Sequence, residues 1–192
     1  VETGALILSN AVIPGHVEGS ANNVHAVYVT NGSADIRDIA ITNPSGDGLR
    51  VDGETGSING VNVTIEGPGR NGMWVSNGSL SIENGKISGL KGNNNNVLMS
   101  GGSVSLTNVE LGAVNKHNNL SINGGELKLH DVTVYGNNTT DNTCHNLYAN
   151  GDSKVTATGY LKLYDAAGAG IRVADNAVVS ATEVTITNSA VY

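Results

Sequence analysis

The side chains of this chain that could do chemistry are few and scattered. Cys144 and His145 adjoin within the stretch YGNNTTDNTCHN, residues 135–146, and Lys116-His117 lies about one repeat earlier. One thiol and two imidazoles make a donor set that zinc or copper accepts. His117, Cys144 and His145 are therefore the candidate metal ligands. The reading preferred over it is simpler: Cys144 fills the interior as a small apolar group, and both histidines face solvent. No cofactor is expected. Glycoside hydrolysis asks for two carboxylates on one face, about 5–10 Å apart. Asp35, Glu83, Glu110, Glu126 and Asp131 instead fall at different points of the pattern. Asp38 and Asp131 share a position, but several repeats separate them, and with Asn84 and Asn108 they read as corner caps. A calcium-dependent lyase needs clustered acids beside a basic residue. Arg37, Arg50, Arg70 and Arg172 gather no such cluster, and Asp47 near Arg50 reads as a weak surface ion pair. The expectation is a protein without a catalytic constellation.

Composition narrows what must position these groups. The 192 residues include 26 Gly and 26 Asn, no Phe, and only 4% aromatics. A core made of Val, Ile, Leu and Ala suits narrow stacked β-layers. Charged residues are 14%, the formal net charge is −7, and the pI is about 5.0. An acidic surface poor in Lys and Arg argues against nucleic-acid binding and against adsorption to anionic lipid. A single cysteine excludes an internal disulfide, which fits a cytosolic protein and equally an exported one that avoids disulfides. No apolar run approaches the ~20 residues of a membrane span, so this segment is not expected to insert in a membrane. The opening VETGALILSN lacks the basic region and length of a signal peptide.

One pattern repeats along the chain. Units begin at Val27, Leu49, Met73, Val97, Leu120, Leu147 and Ile171, with spacings of 22, 24, 24, 23, 27 and 24 residues. A partial unit, GALILSNAVIPG, precedes them. Each unit has a short strand, then a tight corner such as Asn31-Gly32, Asn77-Gly78, Gly101-Gly102, Asn123-Gly124 or Asn150-Gly151. Those residue types accept positive φ. A second strand follows, with Ile36, Ile58, Ile82, Leu106 and Leu129 assigned inward. After a corner at Asp38, Asn84, Asn108 or Asp131 comes a third strand, carrying Ile39 and Ile41, Val61 and Val63, Val109 and Leu111, Val132 and Val134, or Val184 and Ile186.

Asn-Gly between alternating strands is also the strongest hairpin signal, so a sandwich or barrel is the rival fold. Turn residues recur at one phase of the period, and three strands fill each period. That is one lap of a coil in which like residues stack on like. The chain reads as all-β: a right-handed parallel β-helix, a single domain over 1–192, with three short strands per lap and seven or eight laps of ~24 residues. At about 4.8 Å per lap the rod is roughly 35 Å long. Neither end shows a polar cap, which reads as a fragment of a longer rod.

Binding candidates follow from this frame. Insertions on one edge of a solenoid commonly form a recognition surface, and residues 135–146 are the longest insertion. Asn137, Asn138, Thr139, Thr140 and Asp141 are its candidate contacts. Tyr28 and Trp74 fall at matching positions of different laps, assigned outward, with Tyr148 and Arg172 at the same phase. Such rings stack on sugars or pack a partner rod. Asn93-Asn94-Asn95-Asn96 reads as an exposed flexible corner, with an association ladder between rods as the alternative. Thr residues form no regular flat array, which argues against an ice-binding face.

The segments GAGIRVADNAVVSATEVTITN (168–188) and GMWVSNGSLSIENGKISG (72–89) resemble the passenger domains of bacterial autotransporters, in particular the pertactin-like group. The similarity runs from Val27 to Tyr192. It implies a β-helical rod on the surface of a Gram-negative bacterium, or released from it, acting as an adhesin, self-association or virulence module. Its partners would be protein or glycan on host or neighbouring cells, or further copies of itself. Such families carry a C-terminal membrane barrel and a stabilising last passenger segment, and neither is present in this sequence. There is no Arg-Gly-Asp and no Pro-rich loop for an integrin-type mechanism. The alternative expectation is a β-helical carbohydrate-active enzyme, either a polysaccharide lyase or a glycosidase.

Overall fold

The computed structural model describes residues 1–15, 24–136 and 139–189. Its described strands all run parallel and form two sheets. The eight-stranded sheet holds β1 (Ala5–Pro14), β3 (Ser33–Thr42), β5 (Ser57–Glu66), β7 (Ser79–Ser88), β9 (Ser103–Leu111), β11 (Glu126–Val134), β13 (Lys154–Tyr164) and β15 (Val178–Thr187). The seven-stranded sheet holds the three-residue strands β2 (Val27–Val29), β4 (Leu49–Val51), β6 (Met73–Val75), β8 (Val97–Met99), β10 (Leu120–Ile122), β12 (Leu147–Ala149) and β14 (Ile171–Val173). Each strand pairs with its equivalent one lap away, so the chain is a β-solenoid, and the sandwich or barrel alternative is excluded.

The second and third strands expected in each lap are one long strand with a bend. The bend is a left-handed residue: Asp38, Asn62, Asn84, Asn108 and Asp131 all have φ between 52° and 56°. Asn and Asp reach this region at the least cost among side-chain-bearing residues. They also cap one another from lap to lap. Asn62 Nδ2 donates to Asp38 at 2.6 Å, Asn108 Nδ2 to Asn84 at 2.7 Å, and the Tyr160 amide to Asp131 at 3.1 Å. The tight corner before the bend uses glycine where laps approach closely. Gly102 has φ +68°, and a Cβ there would lie 2.5 Å from the Gly78 carbonyl oxygen.

Inside, like stacks on like. Ile41, Ile65, Ile87, Leu111, Val134 and Leu163 form one buried column, and Val29, Val51, Val75, Met99, Ile122 and Ala149 another. The lap beginning at Leu49 differs from the expected phasing. Ile58 stacks on Ala34 and Leu80, not on Ile36 and Ile82, and the inward pair of its third side is Val63 and Ile65, not Val61 and Val63. The cause is Gly60, which takes the Ile36 and Ile82 column position. A Cβ on it would come within 2.6 Å of Ile82 Cδ1.

The remaining corner carries polar side chains inward. Asn96, Asn119 and Asn146 are fully buried and linked across laps, and their amides also cap the carbonyls of Gly112, Tyr135 and Tyr164. This corrects the reading of residues 93–96 as an exposed loop. Asn93 is exposed, but Asn95 and Asn96 are inside. The three side-chain amides and the carbonyl oxygens of Asn119 and Asn146 are paired, which keeps the cost of burial low, while Asn96 Oδ1 has no partner among the described residues.

Candidate functional site

The middle residues of the short strands point away from the core and stack into one outer column: Tyr28, Arg50, Trp74, Leu98, Ser121, Tyr148 and Arg172. The structure thus brings Tyr28, Trp74 and Tyr148 onto one face, as their common phase suggested. The rings are not bare. The Arg50 guanidinium sits 3.7 Å from the centre of Trp74 and 5.4 Å from that of Tyr28, and Arg70 lies 5.4 Å from Trp74. Arg172 lies 5.5 Å from the centre of Tyr148. These are cation–π pairs, so charge lies against the faces open to stacking.

Beside this column runs a second one at the corner: His25, Asp47, Asn71, Asn95, Asn118, His145 and Ala169. Except at Asn95, whose Oδ1 has no partner, and at Ala169, its side chains receive the backbone amides of the following lap. The Asn71 amide donates to Asp47 Oδ1 (2.9 Å), that of Asn95 to Asn71 Oδ1 (3.1 Å), and that of His145 to Asn118 Oδ1 (2.7 Å). The Ala169 amide donates to His145 Nδ1 (2.8 Å).

Together the two columns build the same cluster twice, five laps apart. In the first, His25 meets Tyr28 edge-on at 5.5 Å, and Arg50 Nη1 lies 3.3 Å from His25 Nε2. In the second, His145 lies 6.0 Å from Tyr148, and Arg172 Nη1 is 3.2 Å from His145 Nε2. The acids differ. Arg50 is held by Asp52, with Nη2 and Nε both at 2.8 Å, and Asp47 Oδ2 is 3.6 Å from Nη1. Ala169 and Ala174 stand where Asp47 and Asp52 would be, and among the described residues no carboxylate reaches Arg172.

Asp47 is therefore not the weak surface pair read from sequence. It is fully buried, its Oδ1 accepts both the amide and the Nδ2 of Asn71, and its Oδ2 lies 3.0 Å from His25 Nδ1. The Asp47 amide is also 3.0 Å from that nitrogen. That amide donates to Nδ1, and Asp47 Oδ2 faces the Arg50 guanidinium at 3.6 Å. Asp52 is pushed up by partial burial, but hydrogen bonds from Arg50, Tyr28 and Ser76 outweigh this and hold its carboxyl below the usual value. Its hydrogen bond from Tyr28, followed by burial, raises the Tyr28 phenol.

The candidate metal set does not assemble. Cys144 is buried, as expected, but His145 is buried too, with only 3% of its surface exposed, while His117 is exposed. His145 is turned inward because its ring nitrogens meet the Ala169 amide and Arg172. Burial, then Arg172, lowers its pKa, and burial, then Asp141, raises that of Cys144. Among the described residues no three His, Cys, Asp or Glu side chains group as metal ligands. In the long corner, Thr139 is half-buried and Thr140 and Asp141 are exposed. Asp141 accepts from the Thr143 amide and hydroxyl at 3.0 and 2.7 Å. Asn137 and Asn138 lie outside the described residues. Sequence reasoning missed His25, Asp47 and Arg50 as one unit; the only signal was the spacing His-x-x-Tyr shared by His25-Tyr28 and His145-Tyr148. No protein-family model, curated protein or solved structure shows a significant match to this chain.

Proposed function

We propose that this chain is an extracellular β-helical rod, the adhesive or self-associating part of a Gram-negative autotransporter passenger, and that it binds rather than catalyses. The observation that supports this most is the outer column from Tyr28 to Arg172. It sets aromatic and guanidinium groups at one-lap intervals in two stretches, Tyr28, Arg50 and Trp74 and then Tyr148 and Arg172, with Leu98 and the buried Ser121 between them. A ladder with a repeat of about 4.8 Å presents many weak contacts to an extended partner, and multivalency on a cell surface amplifies them. Purified protein on beads, presented to cultured host cells and to beads carrying more of the same chain, tests the reading. Retention on either, reduced at least about fivefold by Trp74→Ala with Tyr148→Ala, supports it. No retention on either surface, or full retention by the double variant, refutes it.

A second reading, a carbohydrate-active enzyme, draws on the convergence of Asp47 and Asp52 on Arg50. It is the weaker reading because Asp47 is wholly buried, out of a substrate's reach, and Asp52 is committed to Arg50, Tyr28 and Ser76. Release of reducing ends or unsaturated products from a polysaccharide panel, lost in Asp52→Asn, would establish it.

A further inference from the structure

We propose that the cavity beside Arg172 binds a small oxyanion, a carboxylate or sulfate group, against the Nε2–H of His145 and the Arg172 guanidinium. The argument begins with a proton. Ala169 offers His145 Nδ1 only a backbone N–H, at 2.8 Å and in the interior. Were Nδ1 protonated, two donors would face each other there with no acceptor between them. Nδ1 therefore accepts, and a neutral imidazole with an accepting Nδ1 carries its proton on Nε2. That Nε2–H lies 3.2 Å from Arg172 Nη1, which is also a donor. Two donors converge, and what belongs against both of them, on the cavity side, is an oxygen acceptor bearing negative charge.

The first cluster shows what satisfies this arrangement. There Asp47 supplies a carboxylate 3.0 Å from His25 Nδ1 and 3.6 Å from Arg50 Nη1, and Asp52 neutralises Arg50. In the second cluster alanines leave the space those acids would fill. The opening is a cavity of about 520 Å³, lined by Asn142, Thr143, His145, Ala169, Ile171, Arg172 and Val173. His145 is almost entirely buried, so water screens its side of the cavity little, while Arg172 and Val173 stand exposed at the mouth. The rod carries a net charge of −7, so attraction for an anion has to arise locally, and Arg172 is placed where no described acid cancels it.

The test is a titration of the purified chain with sodium glucuronate, sodium sulfate and, as a neutral control, glucose, read on the His145 ring resonances by NMR. Saturable shifts with glucuronate or sulfate, and none with glucose, are the expected result. Tighter binding of glucuronate marks a carboxylate site, and tighter binding of sulfate a sulfate-ester site. Arg172→Gln, a change at an exposed side chain, weakens binding at least about tenfold. Ala169→Asp supplies the internal carboxylate of the first cluster and abolishes binding; its fold is checked by circular dichroism. No saturable shift with either anion, or equal binding by Arg172→Gln, overturns the proposal.

Discussion

The two His–Tyr–Arg clusters are built on the same lap geometry and differ in two side chains. Around Arg50 the corner and outer columns supply Asp47 and Asp52, and around Arg172 they supply Ala169 and Ala174. One cluster is closed on itself: guanidinium, imidazole, phenol and two carboxylates hold one another, and Trp74 roofs the guanidinium at 3.7 Å. The other keeps the cation and the imidazole and omits the acids. The comparison teaches that charge in this fold is set by corner position. An acid at the buried corner locks a lap to the next, and an alanine there leaves a cation facing outward.

The largest expected effect is at Asp47. Asp47→Ala takes the acceptor from the Asn71 amide and Nδ2 and removes the carboxylate between His25 and Arg50. It should cost about 3 kcal/mol in chemical denaturation, in the range for breaking a buried ion pair. A loss under about 1 kcal/mol would mean that the closed cluster is not structural. Trp74→Ala removes the roof over Arg50 and should cost about 2 kcal/mol, while Tyr148→Ala, where Arg172 sits farther off, should cost less. Equal losses would erase the distinction between the clusters.

Asp52 is a smaller effect, and it carries a pH signature. Its folded carboxyl is held below 3.8, so its stabilisation is present above that value and lost as pH falls through the depressed folded one. Asp52→Asn should lower stability at neutral pH by about 1 kcal/mol and flatten the acid end of the stability curve. His145 gives the opposite cluster its own mark. Its folded pKa lies below 6.5, so the unfolded chain takes up the proton first, and stability falls as pH drops below about 6.5. His145→Gln should remove that part of the slope between pH 7 and 5, measured by urea midpoints. An unchanged slope would show that the His145 ring is not held neutral.

Much of the fold could be read from the residues. The period, the inward Val and Ile columns, and the Asn and Asp bends at 38, 84, 108 and 131 recur at fixed phase because each lap repeats the same backbone path. The lap from Leu49 was mis-phased because Gly60 breaks the apolar alternation, so Ile58 was matched to the wrong column. The clusters were harder to read. An acid three residues before an arginine normally signals a solvated pair, and nothing local to Asp47-Gly48-Leu49-Arg50 says that a lap above will cover the carboxylate. Asn95 and Asn96 were hidden in the same way: polar residues in a run of four suggest solvent until the neighbouring laps supply Asn71 and Asn119. His25 and His145 flank stretches of variable length, so their equivalence emerges only when Tyr28 and Tyr148 are stacked in register.

The corner column, in which a side chain receives the amide of the lap after it, gives the rod a sense of direction. Asp47 holds Asn71, Asn71 holds Asn95, Asn118 holds His145, and His145 holds Ala169. A completed lap thus offers a ready docking rail to its successor and asks nothing of it in return along this edge. The rail is interrupted once, at Asn95, whose Oδ1 receives no amide from the lap of Asn118.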